Sequence, residues 1–89
     1  MTKLEAVDDI RKALLELILV QDRIADDYEA AQAFQNSYEK LVKRFYKETH
    51  EILAYQQYTA AKDDVEYFMQ LVLLACHYYK DEGETGVLH

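Results

Sequence analysis

Three histidines, one cysteine, a single serine and 17 acidic residues are the groups from which this chain of 89 residues could assemble catalysis or a metal site. Their spacing works against each chemistry. Di-metal sites in helical bundles draw on a Glu-x-x-His pair, but Lys47 stands three residues before His50 and Leu74 three before His77. Cys76 and His77 are adjacent, hence ~100° apart on a helix, and cannot chelate one ion together. Asp22 and Asp26 could share a helix face, where two exposed carboxylates would make only a weak cation site. Ser37 has no base beside it and no oxyanion hole near it. The only glycines are Gly83 and Gly86, so no loop can cradle phosphate. No catalytic residue, cofactor or metal ligand is assigned, and the expectation is a protein that is not an enzyme.

Binding chemistry is better represented. The net charge is −7, which disfavours nucleic acid and anionic membrane as partners. Lys40, Lys43, Arg44 and Lys47 share one helical face, but Glu39–Lys43, Arg44–Glu48 and Lys47–Glu51 are i,i+4 pairs of a kind found on solvated helix surface. Asp22, Asp26, Asp27 and Glu29 form an acidic group suited to a basic partner surface. The eight tyrosines combine apolar area with a polar tip, as interfaces favour. With the apolar residues beside them they give Tyr28, Tyr38, Tyr67, Phe68, Leu71, Val72, Tyr78 and Tyr79 as interface candidates. Cys76 and His77 lie in the most apolar stretch, which predicts an inert thiol and a satisfied core or interface imidazole.

The elements that must position these groups are helical throughout. There is no proline, and strand patterns are absent. Thr2 and Glu5 fit a capping box that opens a first helix at Lys3. From Val7 to Ile52 the apolar residues hold a heptad. Position a takes Val7, Leu14, Tyr28 and Val42; position d takes Ile10, Leu17, Ile24, Ala31, Tyr38, Phe45 and Ile52. One helix from Lys3 to Gln57 would be ~80 Å long, far more than the rest of the chain could cover. A break is therefore expected, either at Asp26 with Glu29 or at Asn36 with Glu39, and Asn36–Ser37 is preferred. That gives helices over about 3–35, 37–57 and 63–80, with residues 56–61 an indistinct link. From Tyr67 to Tyr79 only Gln70 and His77 interrupt the apolar run, which predicts a core helix too short to cross a membrane. Residues 83–89 read as a flexible tail.

The expected architecture is all-α: a small three-helix bundle over residues 1–82, with a long first helix and near-antiparallel packing. A chain this short is marginally stable alone, and Cys76 permits no internal disulfide. Completion by a homodimer is therefore expected. The first nine residues are charged, with no apolar signal core, which points to the cytoplasm.

Leu14-Leu15-Glu16-Leu17-Ile18 on the first helix, with Gln70-Leu71-Val72 on the third, resembles the short all-helical chorismate mutases. That family folds three helices into an intertwined dimer and grips a dianionic substrate with arginines and a lysine. In the best ungapped match its first-helix arginine and lysine positions fall on Gln21 and Gln32, and its late glutamine on Lys80. The resemblance implies a shape without its functional residues. Three functions follow in order of preference: protein–protein binding with self-association, an acidic inhibitor or immunity-type protein that blocks a basic site, and a helical enzyme of chorismate-mutase shape.

Overall fold

Local capping explains where most of the helices begin. In the computed structural model, which describes residues 2–21, 23 and 26–88 and side chains as far as Asp81, four α-helices account for nearly all of the described chain: α1 (Lys3–Gln21), α2 (Tyr28–Thr49), α3 (Tyr55–Ala61) and α4 (Val65–Leu88). No strand occurs among the described residues. The Thr2 hydroxyl accepts from the Glu5 N–H at 3.1 Å and donates to the Glu5 carboxylate at 3.1 Å. The Asp27 carboxylate accepts from the Ala30 N–H at 3.1 Å, and that of Asp64 from the Tyr67 N–H at 3.1 Å. Each satisfies an otherwise orphaned donor of a first helical turn. At α3 the direction reverses: the Gln57 side chain reaches back to accept from the Ala54 N–H at 3.0 Å.

Several sequence expectations are corrected here. The helix break falls between Gln21 and Tyr28, not at Asn36–Ser37, which lies inside α2. Asn36 has cap chemistry, but its side-chain oxygen instead accepts from the Gln32 amide at 3.3 Å, an i,i+4 contact within a continuing helix. Second, α2 ends at Thr49 and does not reach Gln57. The buried Thr49 hydroxyl donates to the Phe45 carbonyl at 2.6 Å, and the N–H groups of Ile52 and Leu53 both bond the Thr49 carbonyl. Third, the expected link over residues 56–61 is the helix α3. Fourth, α4 runs on to Leu88, past the expected end at about residue 80 and through Gly83 and Gly86. A glycine costs about 1 kcal/mol in a helix relative to alanine, a penalty without the geometric veto of proline.

Side-chain contacts set the helix directions. Lys3 Nζ donates to the Glu48 carbonyl at 2.7 Å, so α1 starts where α2 ends. Ile18 and Gln21 line one depression with Val65 and Met69, so α1 ends where α4 begins. Hence α1 is antiparallel to both α2 and α4, while α2 and α4 run parallel, joined by the return segment that carries α3. The expected antiparallel order holds for α1 only, because the added helix lets the chain return before α4 starts.

The core forms where the three long helices meet. Val7, Ile10 and Leu14 come from α1, Tyr38, Val42 and Phe45 from α2, and Phe68, Leu71, Val72, Ala75 and Tyr79 from α4. The Phe68 ring stands edge-on to both Tyr38 (5.5 Å between centroids, 89°) and Phe45 (5.3 Å, 81°), the preferred geometry for aromatic quadrupoles. The heptad is thus buried over Val7–Leu14 and Tyr38–Phe45 but not over its whole length. Tyr28 is 82% exposed, and Ala31 and Ile52 also lie at the surface. Ile24 lies outside the described residues. No helix is long and apolar enough to cross a membrane, among the described residues.

Candidate protein-interaction surface

The sequence of α4 is apolar on more sides than α1 and α2 can cover. Its inner face goes to the core, Val65, Tyr67, Met69 and Cys76 pack partly against it, and three large apolar residues face outward. Leu73 is 51% exposed, Leu74 66% and Tyr78 46%. Leu74 and Tyr78 also line a depression of about 270 Å³ between the end of α2, the start of α3 and α4. Phe45, Ile52, Leu53 and Leu71 supply most of its remaining wall, with Thr49 and Gln57. The Thr49 hydroxyl is already bonded to the Phe45 carbonyl. This surface therefore offers apolar contact and no free buried polar group to orient a substrate.

Beside it stands an aromatic cluster built by α2 and α3. Tyr46 stacks on Tyr58 at 4.5 Å and 19°, and Tyr55 lies 6.2 Å from Tyr46 and 5.8 Å from Tyr58. Lys62 Nζ sits 5.4 Å from the centre of the Tyr58 ring, a cation–π contact. Tyr55 is the outermost, 64% exposed.

Two further depressions differ in chemistry. One of about 680 Å³ at the junction of α1 and α4 has Asp63, Asp64 and Glu66 around an apolar floor of Ile18, Val65 and Met69. The other, about 450 Å³, lies between α1 and α2 and is lined by Ala13, Leu17, Val20 and Leu41 with Glu16, Ser37 and Lys40. No histidine, cysteine or arginine lines any of the three. No group of three or more metal-ligating side chains gathers anywhere among the described residues.

The charged groups act mainly as surface fasteners. Arg11 donates to Asp8 at 2.7 and 2.9 Å, and Lys12 reaches the same carboxylate at 3.2 Å. Hydrogen bonds first from Arg11 and then from Lys12 hold the Asp8 carboxyl below the usual carboxylate range. Arg44 lies 3.9 Å from Asp9. A dianion clamp needs free arginines in bidentate contact around one cavity, which this arrangement of Arg11 and Arg44 does not provide. Glu51 ties three elements together. Tyr79 donates to it at 2.8 Å and Lys3 pairs with it at 3.1 Å, and these contacts, Tyr79 first, hold its carboxyl below its ordinary value. The three i,i+4 pairs expected along α2 are not formed among the described residues. Glu51 stands beyond the end of α2, and Arg44 turns to α1 instead of Glu48.

No known protein family, curated protein or solved structure matches this chain.

The expected interface residues divide sharply. Tyr38, Phe68, Leu71, Val72 and Tyr79 lie in the core of the single chain and have little surface to offer a partner. They fall on the one stripe of each helix that faces the other two. Tyr28 and Tyr78 remain exposed and Tyr67 half-buried. Leu73, Leu74, Ile52 and Tyr55 are exposed as well and were not among the expected interface residues. The signal for Leu73 and Leu74 was present in the apolar run, one or two positions off the core stripe, while Ile52 kept the heptad phase beyond the end of α2. Of the acidic candidates, Asp26, Asp27 and Glu29 are exposed, Asp27 caps α2, and Asp22 lies outside the described residues. His77 is exposed, not in the core, with its Nε2 3.6 Å from Asp81. Cys76 is half-buried, and burial pushes its thiol up, away from the reactive thiolate.

Proposed function

We propose that this protein acts in the cytoplasm by binding other proteins, a second copy of itself included, and not by catalysis. One observation supports this reading above the rest: two adjacent leucines stand half to two-thirds exposed midway along α4, beside the apolar depression at Tyr78. Exposed leucine pairs continuous with a groove are costly for a chain that stays alone, and partner binding removes that cost. The bundle is small enough that a partner would add materially to its stability.

The test is solution mass by light scattering, at low and at high salt, for the wild type and a Leu74→Asp variant. The expected result is a species near twice the chain mass of 10.5 kDa that persists in high salt and is lost in the variant. A wild type that stays monomeric removes self-association from the reading.

A second reading, a small acidic inhibitor, is favoured by the acid-rimmed depression at Asp63, Asp64 and Glu66. It expects binding of arginine-rich peptides that weakens steeply with salt. Failure to bind such a peptide at low salt removes it.

A further inference from the structure

Five exposed residues of α4 follow one another at alternating steps of four and three: Glu66, Gln70, Leu73, His77 and Lys80. That alternation places the five on one stripe of the helix, charged at its ends and apolar at its centre, and the stripe faces away from the core. Leu73 is its midpoint. A carboxylate stands seven residues before it and an ammonium seven residues after. Within the chain neither Glu66 nor Lys80 takes part in an ion pair among the described residues, while the Asp81 carboxylate lies 3.6 Å from His77.

We propose that two copies pair through this seam, α4 against α4 in antiparallel orientation about a two-fold axis at Leu73, so that Glu66 of each chain meets Lys80 of the partner subunit. The proposal rests on the self-association reading and adds its surface, direction and register. Symmetry carries the argument. A two-fold contact repeats every pairing twice, so a seam with acid at one end and base at the other is complementary to itself only when reversed. A parallel arrangement would set Glu66 against Glu66 and Lys80 against Lys80, and like-charge juxtaposition selects against it. Reversal also brings Leu73 onto its own counterpart and covers Leu74 beside the axis, while Gln70 falls level with the stretch of the partner helix that carries its imidazole. The seam from Glu66 to Lys80 is ~21 Å long, a short contact that associates reversibly.

The experiment is sedimentation equilibrium over a concentration series for the wild type, Glu66→Lys, Lys80→Glu and the double variant, all at exposed positions and checked for unchanged helix content. Each single reversal is expected to weaken dimerisation by about tenfold at low salt, with the double variant restored to near wild type and the differences shrinking at high salt. As a second readout, Leu73→Cys in a Cys76→Ser background is expected to form a disulfide-linked dimer on mild oxidation. Single reversals that dimerise like wild type, a double variant weaker than either single, or no cross-link would overturn the register. If Leu74→Asp still abolishes the dimer in that case, self-association stands and only this seam falls. A wild type monomeric at every concentration overturns both.

Discussion

Tyr38 shows how much a single side chain settles in this fold. Its ring is buried against Phe34 and Phe68, and its hydroxyl donates to the Ala61 carbonyl, tying α2 to the end of α3. Burial, followed by the nearby carboxylates of Asp64 and Asp63, raises its ionisation above the ordinary tyrosine value. A group whose folded value is raised contributes stability that is complete below its unfolded pKa and lost as pH rises past it. Stability is therefore expected to fall above pH 10, the ordinary value for tyrosine, and Tyr38→Phe should flatten that alkaline limb in urea unfolding. At neutral pH the same variant should lose about 1 kcal/mol, because it leaves the Ala61 carbonyl without its donor. Glu51 has the opposite sign. Its carboxyl is held low by Tyr79 and then Lys3, so its contribution is present above its ordinary value of 4.5 and lost as pH falls below it. The stability difference between wild type and Glu51→Gln should shrink through that acid window in a pH series of melting curves.

At the scale of elements, the informative feature is the break between α1 and α2. Two sites carried nearly the same signal, a short polar residue followed three positions later by glutamate, and local chemistry could not rank them. The structure uses Asp27, one residue beyond the first of these sites, and leaves Asn36 exposed in the middle of a helix. Asp27→Ala is therefore expected to cost about 1 kcal/mol in denaturant unfolding, as loss of an N-cap does. Asn36→Ala should be neutral or slightly stabilising, since alanine is the better helix former. The reverse ranking would place the break at Asn36. The pattern Ala30-Ala31-Gln32-Ala33 already favoured helix through this region, and it continues unbroken into Tyr38. α3 was not visible in the sequence, because Tyr55-Gln56-Gln57-Tyr58-Thr59-Ala60-Ala61 has no stripe of its own. What holds it is contact: Ala61 against the core and the stacked rings of Tyr46 and Tyr58.

At the scale of the whole molecule, the proportions follow from staggered helices. The structure extends 53 × 24 × 19 Å, and α2 is buried only from Tyr38 onward, ten residues after it begins. Tyr28 consequently stands in solvent although it keeps the heptad phase. Coverage of α4 is likewise a property of the assembled bundle. Leu74 contributes little to the core, so Leu74→Ser should leave the unfolding free energy within about 0.5 kcal/mol of wild type. Self-association should be lost in the same variant. A large loss of stability in Leu74→Ser, measured where the chain is monomeric, would mean that this leucine serves the fold and not a partner.

Patterning alone determined the helical class, the capped start at Thr2, the core stripes Val7–Ile10–Leu14 and Tyr38–Val42–Phe45, and the excess of apolar surface on α4. These are consequences of a repeat near 3.6 residues and of local hydrogen bonding, both legible along a chain. Tertiary structure alone decided which capping site breaks the helix, that a fourth helix forms, that α2 and α4 run parallel, and which side of α4 faces outward. Each of those depends on contacts between residues distant in sequence: Tyr38 with Ala61, Lys3 with Glu48, Tyr79 with Glu51. A hydrophobic run announces that burial is required, but its partners are chosen only when the neighbouring helices have taken their places.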